Sequence, residues 1–273
     1  MPGVSFDRAA AYYDITRGYA PGSAERIRDA IVAHAGATRR TRFLELGVGT
    51  GRIALPFVRG RYDYTGVDIS RAMMNRLAAR IAEDPGAGGY QWAMLQADVS
   101  SLPFVDGCFD VVIAVHVLHL VHDWQRAVRE ARRVLRRGGR LLFGNDDADR
   151  EGRLQPPTRV RDRWIELRGE LDPARHTDPI GWGQDSRLIE YLRALGASPE
   201  VVDLARFEWP PVSARQMLER YRARMYSSDW DMPDDLHAEA LGRLESWMHA
   251  EIADPDEPHV VGGRFAAISA TCH

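Results

Sequence analysis

The chain of 273 residues contains no lysine; all 36 of its basic residues are arginine. That absence removes whole reaction classes. No amine is available for a Schiff base, and none for a phosphate-binding P-loop. A short-chain reductase built on a tyrosine–lysine pair is excluded too. Cysteine is scarce, and Cys108 and Cys272 alone make no disulfide framework. Long apolar runs are missing, so no segment reads as membrane-spanning. Asp7 and Arg8 stand where a signal peptide needs an apolar stretch. Basic charge is not in excess: the net charge is −3 and there is no basic tail, which gives nucleic-acid binding little support. These features point to a cytoplasmic protein without a nucleic-acid or membrane partner. The length admits one large domain or a core with an added subdomain.

What is present is concentrated in one stretch. Arg42-Phe43-Leu44-Glu45-Leu46 is a short apolar run that turns abruptly into Gly47-Val48-Gly49-Thr50-Gly51. That pattern reads as strand, tight turn, helix. Glycines at 47, 49 and 51 remove the Cβ atoms from the turn and let backbone approach a ligand. Such a turn serves a nucleotide-like cofactor, or is a plain strand-to-helix turn. Asp68 ends the second strand, at about the interval of 20 residues that places an acid on a ribose. Its other reading is a helix cap. Asp98 ends the third strand, suited to an adenine amino group or to capping the loop.

Strands are expected at 42–46, 62–67, 90–96, 109–115 and 140–144. Helices are expected up to 59 and over 70–83 and 124–136. The second helix carries Met73, Met74, Leu77 and Ile81 on one side, and the third is closed by Gly138-Gly139. Short connections between alternating elements predict a parallel α/β sheet covered on both faces. Ligands then bind outside the carboxyl ends of the strands, where the glycine turn, Asp68, Asp98 and His116 all fall. Residues 1–40 read as an N-terminal helical lid, with a second helix capped by Ser23 and running to His34. Residues 41–147 read as the cofactor-binding core. Residues 148–232 read as a helical cap including a sixth strand, and 233–273 as a helix and last strand that complete the core.

Taken together, these motifs resemble the class I S-adenosylmethionine-dependent methyltransferases, in particular the small-molecule type 11/25 group related to quinone biosynthesis. Glu45 to Gly51 is similar to the family's first motif, and Gly66-Val67-Asp68-Ile69-Ser70 with Met73-Met74 to its second. Ala97-Asp98, Leu102-Pro103-Phe104, Val117-Leu118-His119 and Arg133 to Gly139 resemble later motifs. Phe6-Asp7, Ala10, Tyr13-Asp14 and Arg17 look like the group's N-terminal helix. The likeness covers residues 5 to 147; Arg137 departs from the proline usual before the paired glycines. It implies a Rossmann-like seven-stranded sheet of order 3-2-1-4-5-7-6 with the last strand antiparallel. It implies S-adenosylmethionine as cofactor and S-adenosylhomocysteine as product. By the same likeness, Glu45, Gly47, Gly49 and Gly51 would hold the methionine end and Asp68 the ribose hydroxyls. Ile69 and Met73 would pack on the adenosine, and Asp98 and the Val99 amide would read the adenine edge. The His116 backbone would meet the methionine amino group, and Tyr13 and Arg17 would close over the cofactor.

Nicotinamide binding competes because it shares the sheet. It needs a third glycine where Arg52 stands. A catalytically silent relative that only binds the cofactor or a partner chain is the other alternative. Methyl transfer from a sulfonium needs alignment and exclusion of water, with a base only for a protonated acceptor. His116 and His119 are the candidate acid–base residues. With His122 they give a spacing that could suggest a metal, but no carboxylate completes it and no metal is expected. Neither cysteine follows a proline, and no Asn/Asp-Pro-Pro-aromatic motif follows the fourth strand. A small-molecule acceptor, methylated at O, N or C by a monomer or homodimer, is therefore expected. Trp164, Trp182, Trp209, Trp230, Tyr221 and Tyr226 are candidates to line its pocket. Arg161, Arg163, Arg168 and Arg187 are candidates to bind an anionic group, or simply form solvated helix faces.

Overall fold

The computed structural model describes residues 5–84, 86, 89, 91–173 and 185–272. Apolar runs too short for helices form β1 (Arg42–Leu46), β2 (Asp63–Asp68), β3 (Trp92–Gln96) and β4 (Phe109–Val115). With β5 (Leu135–Ala148), β6 (Ala197–Glu208) and β7 (Gly262–Cys272) they make one sheet of order β3-β2-β1-β4-β5-β7-β6. Strands β1 to β5 pair in parallel with one another, and β7 runs antiparallel between β5 and β6.

Helices α1 (Tyr13–Arg17) and α2 (Ser23–Ala35) precede the sheet, and α3 (Ala54–Arg59), α4 (Arg71–Ala82) and α5 (Trp124–Val134) connect its strands. Alternation sends Leu44, Leu46, Val112, Ala114, Leu141 and Phe143 to one face, where α5 and α7 (Ser186–Ala194) cover them. Phe43, Val111, Ile113 and Leu142 fill the other face under α2, α3 and α4. A third core joins α6 (Pro156–Leu171), α8 (Ala214–Arg222) and α9 (Asp234–Glu251) through Val160, Trp164, Leu218, Leu244 and Met248. Helix α9 thus packs with the cap, and the boundary expected at residue 233 cuts through one packed unit. From 233 onwards only β7 joins the sheet.

Three local expectations are corrected. Gly22, at φ 79°, is the N-cap of α2, while the Ser23 hydroxyl accepts the Glu208 amide and an Arg26 guanidinium N–H. Helix α5 stops at Val134 because Leu135 is already extended and pairs with Phe109. Gly138 and Gly139 therefore lie in a strand irregularity, with Gly138 at φ 71°, rather than at a helix end. Strand β5 also continues past Gly144 through Asn145, Asp146 and Asp147, because β7 supplies an antiparallel ladder as far as Ala148↔Gly263.

Candidate active site

The glycine turn leaves β1 with Gly47, Gly49 and Gly51 all in the left-handed region, at φ 70°, 54° and 84°. The Gly47 and Val48 amides both donate to the Val67 carbonyl, tying the turn to β2. Asp68 completes the knot: its Oδ2 accepts the Gly49 amide and its Oδ1 the Ser70 amide, each at 2.8 Å. Burial raises the Asp68 carboxyl, while the amides of Ser70, Gly49 and Ile69 oppose that shift. A Cβ on Gly47 would lie 2.6 Å from Val117 Cγ2, and one on Gly51 would collide with Leu77 Cδ1. Those two glycines clear space for neighbouring side chains, which the sequence alone does not show.

A cleft opens above these strand ends. Gly47, Gly49, Asp68, Ile69 and Met73 line one wall, and Asp98, Val99, His116 and His119 another. Tyr13, Arg17 and Phe6 line it from the N-terminal segment, and Ser227 from the cap. Eleven of the expected site residues are therefore together. Glu45 and Gly51 are not among the lining residues. Glu45 lies beneath the turn, buried, where its Oε2 accepts the Tyr64 hydroxyl at 2.8 Å. Its carboxyl is pushed up to about 8, by burial above all. Asp98 is exposed and caps the following turn, its Oδ1 accepting the Ser100 amide at 2.7 Å.

The N-terminal segment is clipped to the cofactor loops by two carboxylates. Asp7 Oδ1 accepts the Ser70 hydroxyl at 2.6 Å, and Asp14 Oδ1 accepts the Thr50 hydroxyl at 2.6 Å. The same segment touches the cap: the Phe6 ring lies 5.1 Å from Trp230, and the Arg17 guanidinium 5.3 Å above the Tyr226 ring.

Behind His116 lies a carboxylate that the sequence reading left out. Asp146 Oδ1 is 2.5 Å from His116 Nε2, and its Oδ2 accepts Tyr19 Oη–H at 2.6 Å and Arg52 Nη1–H at 2.5 Å. The Asp146 side chain is only 3 % exposed. Burial alone would raise its carboxyl, but Arg52 and His116 outweigh that and hold it well below the usual range. His116 itself sits at φ 54°, a conformation costing a non-glycine residue about 1–2 kcal/mol. The His116 ring is lowered by burial first and by Arg52 and Arg17, against Asp146, which raises it. His119, edge-on to His116 at 6.4 Å, is pushed down to about 3 by burial, then by His116 and Arg17.

The cap candidates fall elsewhere. Trp164 is core, stacked on Tyr221 at 4.8 Å and donating Nε1–H to Asp229. Trp209 packs on Phe207 at 4.6 Å, and Trp182 lies outside the described residues. Arg161, Arg163, Arg168 and Arg187 face Asp147, Glu166, Asp229 and Asp185 respectively.

A methyltransferase-domain profile matches residues 44–143, which hold the glycine turn, Asp68, Asp98 and His116. A phosphatidylethanolamine N-methyltransferase of Cereibacter sphaeroides is 32% identical over 175 residues, covering 64% of this chain and 77% of that protein. The chain belongs to the S-adenosylmethionine-dependent methyltransferases. A ubiquinone/menaquinone biosynthesis C-methyltransferase of Desulfotalea psychrophila is 35% identical over 146 residues, or 52% of this methyltransferase and 57% of the relative. The crystal structure of the YcgJ protein of Bacillus subtilis superimposes with a TM-score of 0.58 at 20% identity, covering 90% of this chain and 98% of that one. The sheet order is the one the resemblance implied. The cleft suits the family's cofactor: Ile69, Met73 and Val99 offer an apolar slot for a base. Asp68 adds an acceptor carboxylate beside them, and Gly49 has room for a Cβ only 3.4 Å from Met73 Cε. No helix among the described residues is long and apolar enough to cross a membrane.

Proposed function

We propose that this cleft methylates a small-molecule acceptor, with the cofactor on the glycine-turn side and the acceptor between the N-terminal segment and the cap. The observation that carries the reading is Asp68, whose carboxylate fixes Gly49 while lining the cleft beside Ile69 and Met73. In this arrangement Gly47 and Gly49 hold the methionine end and Asp68 the ribose. Ile69 and Met73 pack on the adenosine, while Asp98 and the Val99 amide meet the adenine edge. Tyr13 and Arg17 close the site from above, and the His116 backbone faces the methionine amino group. Glu45 and Gly51 support the turn from behind. The bound cofactor supplies a methyl group on a sulfonium, an excellent leaving group. The protein's share is alignment, exclusion of water and, through His116, removal of a proton.

One relative is named for N-methylation and another for C-methylation, so the names support a small acceptor and leave its atom open. The free cysteines Cys108 and Cys272 agree with the cytoplasm as the working compartment, and the net charge of −3 with an acceptor other than nucleic acid. The catalytic unit in this reading is a monomer or homodimer. Calorimetric titration with S-adenosylhomocysteine, NAD and NADP tests the cofactor site. Micromolar binding of the homocysteine compound alone, lost in Asp68→Ala, is the expected result. Binding of a nicotinamide cofactor instead would sink the reading.

A further inference from the structure

Building on the methyltransferase reading, we propose that Asp146 is a positioning residue that makes His116 a general base. The acceptor is then a group that gives up a proton when it is methylated.

The argument starts from the hydrogen bonds around one carboxylate. Asp146 Oδ2 takes Tyr19 Oη–H and Arg52 Nη1–H, and Oδ1 meets His116 Nε2 at 2.5 Å. Arg52 keeps Asp146 ionised, so the carboxylate only accepts. The contact with His116 therefore requires the proton on Nε2. The opposite tautomer would set two lone pairs against each other at 2.5 Å. Its compensation, the Asp146 amide, is farther away at 3.3 Å. With Nε2 protonated, Nδ1 carries the ring's lone pair. His116 is one of the residues that line the cleft.

Burial, Arg52 and Arg17 favour the neutral ring, while Asp146 favours the charged one. Arg52 follows the glycine turn, Arg17 lies on α1, His119 follows β4, and Tyr19 follows α1. Two guanidinium groups face one carboxylate, Asp146 on β5. A neutral imidazole with a fixed tautomer, backed by a carboxylate that opposes the charge it gains, is the arrangement of a base. Its left-handed backbone at φ 54° shows that the surrounding structure holds it there against strain.

The proton balance follows. The acceptor's electron pair forms the new bond to the methyl carbon, and the carbon–sulfur pair stays on sulfur. The acceptor's proton passes to His116 Nδ1, giving an imidazolium opposite Asp146, and is lost to water afterwards. A hydroxyl, an ammonium group or a C–H acidified by carbonyls meets this requirement. A tertiary amine or a thioether has no such proton and does not.

Nitrogen NMR of the full-length, histidine-labelled protein reads the tautomer directly, with and without S-adenosylhomocysteine. The His116 signal is assigned by its loss in His116→Gln. A wild-type ring protonated on Nε2 and neutral at pH 7 is expected, with that tautomer preference lost in Asp146→Asn. A wild-type ring protonated on Nδ1 overturns the proposal, and so does an unchanged preference in Asp146→Asn. With an acceptor taken from a panel of phenols, amines, activated C–H compounds and thioethers, kcat should fall about a hundredfold or more in His116→Gln. The low-pH limb of kcat/KM should disappear with it, while S-adenosylhomocysteine affinity stays within about threefold. Turnover of a thioether, or an unchanged pH profile in His116→Gln, overturns the proposal. Failure of the wild type to bind S-adenosylhomocysteine counts against the methyltransferase reading instead, and the tautomer in the free protein still decides this one.

Discussion

Glu45 belongs to the glycine-turn motif yet does not line the cleft. Its carboxyl is buried under the glycine turn and pushed up to about 8, against a usual value near 4.5. A carboxyl raised in the folded state is stabilising below its unfolded pKa, and that contribution is lost as pH rises through the folded value. Stability should therefore decline between about pH 4.5 and 8, by roughly 3 kcal/mol at pH 7 from this group alone. Glu45→Gln keeps an acceptor for the Tyr64 hydroxyl and removes the titration. Denaturant midpoints should be similar for the two proteins at pH 5 and higher for the variant at pH 8. Parallel midpoints across that range would show that Glu45 is ionised in place. Gly51 carries a different constraint, since a Cβ there meets Leu77 and its φ is 84°. Gly51→Ala should cost about 1–3 kcal/mol in chemical denaturation, partly recovered in Gly51→Ala/Leu77→Ala. Additive losses in the double variant would place the cost in backbone strain alone.

Among the elements, those built from local signals were legible. The apolar run of β4 marks both of its ends, Phe109 and Val115, because a strand buried on two faces is almost wholly apolar; its one charged residue, Asp110, pairs with Arg42 and Arg136 near the strand start. The caps Ser70, Asp123 and Ser213 similarly mark the starts of α4, α5 and α8. The end of β5 was not legible, since Asn145-Asp146-Asp147 reads as loop until β7, more than 100 residues later, pairs with it. That long-range ladder also hid Asp146, the group that sets His116. The strand ends that line the cleft were readable, whereas the charge network behind it arises from residues 19, 52, 116 and 146 meeting only in the fold. The N-terminal segment is an element of the same kind. Its hold on the core runs through Asp14 to Thr50 and Arg80, and Asp7 to Ser70. Asp14→Ala should loosen residues 7–17 and weaken S-adenosylhomocysteine binding up to about tenfold, as expected for losing one or two hydrogen bonds. Faster amide exchange confined to that segment is the accompanying readout. Unchanged affinity would mean that the segment does not cover the cofactor.

At the scale of the whole molecule, the N-terminal segment touches both the glycine-turn side of the cleft and the cap. The cap has its own core of α6, α8 and α9, separate from the two cores on the sheet. Phe6 on Trp230, Arg8 over the same ring at 5.6 Å, and Arg17 over Tyr226 carry the connection. Anything that orders residues 7–17 from the cofactor side therefore also orders the cap side, with no need for a change of fold. S-adenosylhomocysteine should slow amide exchange in two places, the glycine turn with residues 7–17 and the cap stretch 226–230. Phe6→Ala should abolish the second effect and keep the first, because it removes the aromatic contact and leaves Asp7 and Asp14 in place. Protection restricted to the glycine turn in the wild type would show that the cofactor and cap halves of the cleft act independently. Protection of both regions that survives Phe6→Ala would assign the coupling to Arg17 and Tyr226, which Tyr226→Leu then isolates.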